Sequence, residues 1–203
     1  MLLFQKLTYR LTEQKLSCFL LLILIFIGFL SGCFCIHLIS DTEFFNAGVQ
    51  AEEFIRAAKN KELNFYLIFQ EEFSPYLLIG LCSLFLPGFI FVCFLVFKWG
   101  FSLGFFLTFL VKYFFLKGFF LGGVFLLLNL IFFFAPLIFL ANQSLSLNHY
   151  LIRCALRKTP SKQTLVSEFF YTAIATLLAA LAVMLGVASE VWLLTPLCNY
   201  LFL

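Results

Sequence analysis

KWGFSLGFFLTFLVKYFFLKGFFLGG, residues 98–123, decides how the rest of the chain is read. It is almost wholly apolar, yet it carries Gly100 and Gly104, Gly118 and Gly122, and the lysines Lys98, Lys112 and Lys117. Glycine weakens a helix in water, and an unpaired lysine is out of place in a soluble core. Both make sense in lipid. Hydrocarbon is as apolar as leucine, so helices there associate by close contact, which small residues four apart allow. Lysines near a helix end reach the headgroups with their long stems.

The composition extends this reading to the whole chain. Apolar residues make up 64% of the 203, charged residues 11%, and the mean hydropathy is +1.08; a soluble domain has roughly a quarter charged residues. Phenylalanine alone accounts for 32 positions, a load of rings that lipid tolerates and water would not. A crossing needs about 20 apolar residues. On that requirement the sequence predicts five spans, at 17–39, 76–97, 99–116, 118–142 and 165–187. The runs lack the alternation of barrel strands, so each must satisfy its backbone as a helix. The expected fold is an all-α polytopic bundle with short interfacial helices.

Charge sets the expected orientation. Lys6, Arg10 and Lys15 stand at the head, and Arg153, Arg157, Lys158 and Lys162 lie in the loop 143–164, which has no acid. The loop 40–75 holds Asp41, Glu43, Glu52, Glu53, Glu62, Glu71 and Glu72 against Arg56, Lys59 and Lys61. Basic loops stay inside, so the N-terminus and 143–164 are expected in the cytoplasm, and 40–75 and the tail 188–203 outside.

Smaller features follow. Residues 1–16 read as a basic amphipathic segment on the inner leaflet or an unstructured head. Ala51, Phe54, Ile55 and Ala58 mark an outer amphipathic helix. Connections are expected at Lys98–Trp99 and at 116–118, with bends at Pro87 and Pro136. The tail after Gly186 reads as an interfacial or partner-bound segment, not a further span. LSGC at 30–33 resembles a lipoprotein cleavage site at Cys33, but the apolar run continues through Leu38 and favours a retained helix.

The small-residue faces comprise Gly28 and Gly32, Gly100 and Gly104, Gly118 and Gly122, and Ala175, Ala179, Ala182 and Gly186. They are expected to pack helices within the bundle, against a partner, or between copies of the chain. Asn129 is the strongest mid-span polar candidate, with no carboxylate expected beside it.

The sequence offers little chemistry. AEEFIR approaches the EExxxR of intramembrane CAAX-type proteases, but Arg56 comes one residue early and the segment lies in a loop. The phosphate-binding glycine loops, HExxH and nucleophile elbows are missing, and the seven cysteines and two histidines have no zinc spacing. No catalytic residue, cofactor or metal is expected. Four charges in the one basic loop favour anionic lipid over nucleic acid.

Taken together, KWGFSLGFFLTFLVKYFFLKGFF, LLNLIFFFAPLIFLA, the basic loop and the terminal LLTPLCNYL resemble the stage II sporulation protein M family of endospore-forming bacteria, loosely over 17–203. The resemblance implies a non-enzymatic scaffold at the sporulation septum and engulfing membrane. Its implied partners are the peptidoglycan-degrading stage II sporulation proteins D and P. Gly100, Gly104, Lys117, Gly118, Asn129 and Pro136 match the shared pattern, with structural or docking roles implied. The alternative is a permease-like membrane subunit of a transport or export complex, contacting an ATPase through 143–164. A cavity reaching Asn129 and opening to one side would count against a pure scaffold.

Overall fold

The computed structural model describes residues 2–59, 64–85, 87–155 and 162–201. It is an all-helical bundle: α1 (Leu2–Cys35), α2 (Asp41–Lys59), α3 (Phe65–Cys82), α4 (Gly88–Leu128), a π-helical segment (Asn129–Phe134), α5 (Ala135–Ala155) and α6 (Lys162–Leu201). Lys15–Cys35, Gly88–Ala155 and Val166–Leu201 are long and apolar enough to cross a membrane. Large apolar side chains such as Phe26, Phe94, Phe119 and Leu177 point outward. A surface of that kind is stable facing lipid, not water. Lys61, Glu62, Arg157 and Lys158 of the two charged loops lie outside the described residues.

α4 contains a sharp reversal of the chain within a helix. Phe115 takes φ 50°, ψ −124°, and the helix folds back on itself there. Gly118 then faces the Leu110 carbonyl, Gly122 faces the Leu107 side chain, and the Phe106 and Phe125 rings meet at 4.7 Å. The two halves of α4 are therefore an antiparallel hairpin, close to the expected 116–118 turn.

The other expected connection is displaced. Lys98 and Trp99 lie inside α4, and the break falls at Ser83–Pro87 instead, so 76–97 and 99–116 are not separate helices. Pro87 stands at the N-cap of α4 and bends nothing. Gly88 after it passes so close to the Cys82 carbonyl that a methyl group would overlap it. Asn148 of α5 closes the end of α3, its Nδ2 donating to Ser83 O at 3.2 Å and Cys82 O at 3.4 Å. Unpaired helix-end carbonyls are expensive in a dry interior, and this buried amide satisfies them.

Two further segments are longer than expected. α6 runs on from Gly186 to Leu201 without the break foreseen at 187, and α1 is helical from Leu2, continuous with the first span. α2 begins earlier, at Asp41, where the Ser40 hydroxyl accepts from the Glu43 N–H at 3.4 Å and donates to its carboxylate at 3.0 Å. This arrangement starts a helix by occupying its free donors.

The tightest packing joins α1 to the first half of α4. Gly28 and Gly32 face the backbones of Phe97, Phe101 and Phe105, and Gly100 and Gly104 face those of Ile25 and Phe29. Numbers rise together on both helices, so they run parallel. A Cβ at any of the four would overlap a carbonyl of the other helix. Cys33 closes the seam, its thiol 3.6 Å from Gly104 O. At such distances backbone dispersion and Cα–H···O contacts replace the missing hydrophobic drive. Cleavage before Cys33 would remove Gly28 and Gly32 from this contact.

Candidate functional site

Four helices frame a cleft of about 700 Å³. α3 supplies Glu71 and Glu72, α4 supplies Lys98, Ser102 and a wall of aromatic and aliphatic side chains, the π segment supplies Asn129, and α6 supplies Glu190. Ala51 and Ile55 of α2 also line it. It extends along α4 from Leu95 to Leu110, a rise of 15 residues or about 22 Å at 1.5 Å per residue.

The polar floor of the cleft is built around Asn129. Its Nδ2 donates to the Phe125 carbonyl at 3.1 Å and to Glu190 Oε1 at 3.5 Å. Asn129 is 6% exposed and Glu190 5%. The absence of a carboxylate beside Asn129, expected from sequence, is thereby corrected: α6 continues past Gly186 and carries Glu190 back against it. Glu72, half-buried on α3, lines the same cleft as Glu190.

The π segment places this asparagine. Pro136 removes an N–H from the ladder, and its ring crowds the carbonyl four residues earlier. The chain accommodates this by widening over Asn129–Phe134, immediately before the proline. Single π turns of this kind are frequent at functional sites. Pro136 thus has the local effect foreseen, though as a widened turn. Tyr76 of α3, completely buried, donates its hydroxyl to Phe133 O at 2.8 Å and fixes α3 to the segment.

α2 covers α4 beside the reversal. Phe44 packs against Phe109 and Tyr113, Gly48 meets the Tyr113 ring, and the Tyr113 hydroxyl donates to Glu52 at 3.0 Å. The inward face is therefore 44, 48, 51, 52 and 55, of which Ala51 and Ile55 belonged to the expected set; Phe54 and Ala58 lie among the side chains not described. Lys112 also looks to α2, its Nζ 4.6 Å from the Phe44 ring centroid. Lys98 is exposed at the cleft.

The remaining small residues pack helices. Ala175 and Ala179 are buried against the core that holds Tyr76 and Ile79, and Gly186 lies on Phe132 and Phe133. Ala182 is half-buried. The glycine pairs at 28/32 and 100/104 mate with each other, so that contact is internal to the chain.

No family model, curated protein or solved structure matches this chain.

Proposed function

We propose that this chain is the permease-like membrane subunit of a transport or export complex, binding its cargo in the α3–α4–α6 cleft. The observation that carries this reading is the contact of Asn129 with Glu190 at the floor of a cavity of about 700 Å³. Carboxylates inside a membrane bundle are costly, and they mark substrate or ion pathways more often than they serve packing. A pure scaffold has no need of them. The basic segment around 143–164 is the surface for a cytoplasmic ATPase in this proposal, and the outer helix α2 lies over the cleft on the opposite side.

A second reading follows from the loose resemblance of 17–203 to the stage II sporulation protein M family. In it the chain is a non-enzymatic scaffold at the septal and engulfing membrane, holding the stage II sporulation proteins D and P. The exposed acidic flank of α2 supports it, with Asp41 and Glu53 presented to an outer partner.

Mild-detergent affinity purification of the tagged protein from sporulating cells, followed by mass spectrometry, separates the two. The first reading expects a stoichiometric ATPase, lost when the basic residues of 143–164 are neutralised. Wall hydrolases that disappear when 41–75 is replaced by a neutral linker, with no ATPase, would sink it and establish the scaffold.

A further inference from the structure

We propose that the cleft binds a single amphiphile with a cationic head, an ammonium seated between Glu72 and Glu190 and an alkyl chain along the aromatic wall of α4. This deepens the permease reading by naming the class of cargo, and it rests on the cleft being that subunit's binding site.

The charge balance points to a cation. Among the described residues, Glu71, Glu72 and Glu190 line the cleft against Lys98, three potential anions to one cation. Glu190 is buried and Glu72 partly so in one cleft, and carboxylates withdrawn from water need a counter-charge or a proton. Within the protein Glu190 receives one hydrogen bond, the long 3.5 Å contact from Asn129 to Oε1, and Oε2 takes none among the described residues. Glu72 has no hydrogen-bond partner among them either. The strongest acceptors in the bundle are thus turned to the cavity with capacity to spare, and an ammonium supplies three donors as well as the charge.

Size and lining point to an amphiphile. A bare metal ion would leave nearly all of the space empty, whereas about 300–1,000 Å³ is the range of small-molecule sites. Beyond the carboxylates the walls are Phe105, Phe106, Leu110, Leu121 and Phe125, with Ile55 of α2 above. One end of the cleft is acidic and the other is greasy. An alkylammonium has the same division along its length.

Phe106 lines the greasy end of the cleft, and Phe106→Trp in a Trp99→Phe, Trp192→Phe background places the single indole there as a local readout. The probe is 11-bromoundecylammonium, whose bromine quenches indole on contact, added to the full-length protein in a maltoside micelle. Saturable quenching is expected, with 11-bromoundecanol quenching far less. Glu190→Gln should weaken the ammonium's apparent affinity about tenfold or more, as loss of one desolvated charge pair does. Should that variant fail to fold, Glu72→Gln, at a half-buried position without a hydrogen bond, provides the same comparison. Equal quenching by amine and alcohol, or affinity unchanged in both variants, would overturn the proposal. A second arm in nanodiscs identifies the source of the cation. Quenching by brominated-chain phosphatidylethanolamine beyond that by brominated phosphatidylglycerol identifies a lipid headgroup, and quenching by the free amine alone identifies a soluble cargo. Loss of the ATPase in the purification above, with quenching intact, would remove the transport reading and leave the site standing.

Discussion

Asn129 reaches Glu190 across 61 residues of sequence, amide to carboxylate at 3.5 Å, and so ties the π segment to the last helix inside the bundle. The bond joins two groups that are each more than nine-tenths buried. Removing the donor alone leaves a buried carboxylate without its one partner among the described residues. Asn129→Leu should therefore destabilise the protein by about 1–3 kcal/mol, measured as loss of helical signal on heating in detergent. Asn129→Leu with Glu190→Leu should cost less than the sum of the two single changes, because the pair acts as one unit.

Gly104 and Gly123 provide a matched comparison. Gly104 lies against the Phe29 backbone, where neither side can yield without moving a helix, whereas nothing lies within 4 Å of a Cβ built on Gly123. Gly104→Leu should cost about 3 kcal/mol or more, the upper end of overpacking penalties. Gly123→Ala should be neutral or stabilise by up to about 1 kcal/mol from helix propensity. Equal melting temperatures for the two variants would mean that the parallel seam contributes nothing.

Phe115 is the one non-glycine residue with positive φ among the described residues, and its side chain is 77% exposed. Its backbone conformation is one that glycine adopts freely, so Phe115→Gly should relieve about 1 kcal/mol of strain. The expected result is a higher melting temperature. A lower one would show that the ring's contact with lipid outweighs the backbone term.

The Tyr76 hydroxyl tests how firmly α3 holds the π segment. Tyr76→Phe removes the 2.8 Å bond to Phe133 O and should cost about 0.5–1.5 kcal/mol. Tyr113→Phe, which loses an exposed bond to Glu52, should leave stability within about 0.5 kcal/mol of the parent. The ordering of the two in one thermal assay is the check.

Membrane character and the small-residue seam were legible because their signals are local. Gly28, Gly32, Gly100 and Gly104 each declare a close approach by spacing alone, although nothing in the spacing says that the pairs find each other in parallel. The break before α4 was misplaced for an identifiable reason. Lys98–Trp99 interrupts the apolar run by charge, which a helix ignores, while Pro87–Gly88 interrupts the backbone, which a helix cannot. Glu190 escaped notice because its role depends on α6 persisting beyond Gly186 and on a partner 61 residues away. The sequence alone ends the last span at 187, short of Glu190. A lone carboxylate followed by a further eleven helical residues is the signal that pointed to a buried partner. The end cap that Asn148 makes for α3 had no sequence signal at all, since it joins helices 65 residues apart.

The parallel seam also has a consequence for biogenesis. Cys33 and Gly104 meet across 71 residues, so α1 enters the membrane well before its mate exists. At ordinary translation rates of 5–20 residues per second that interval is roughly 4–14 s. Throughout it the glycine face of α1 is a vacancy at which any close-packing helix could lodge. The newborn chain must be kept apart from strangers until Gly100 and Gly104 leave the ribosome, and insertion factors that hold early spans are natural guardians of that wait.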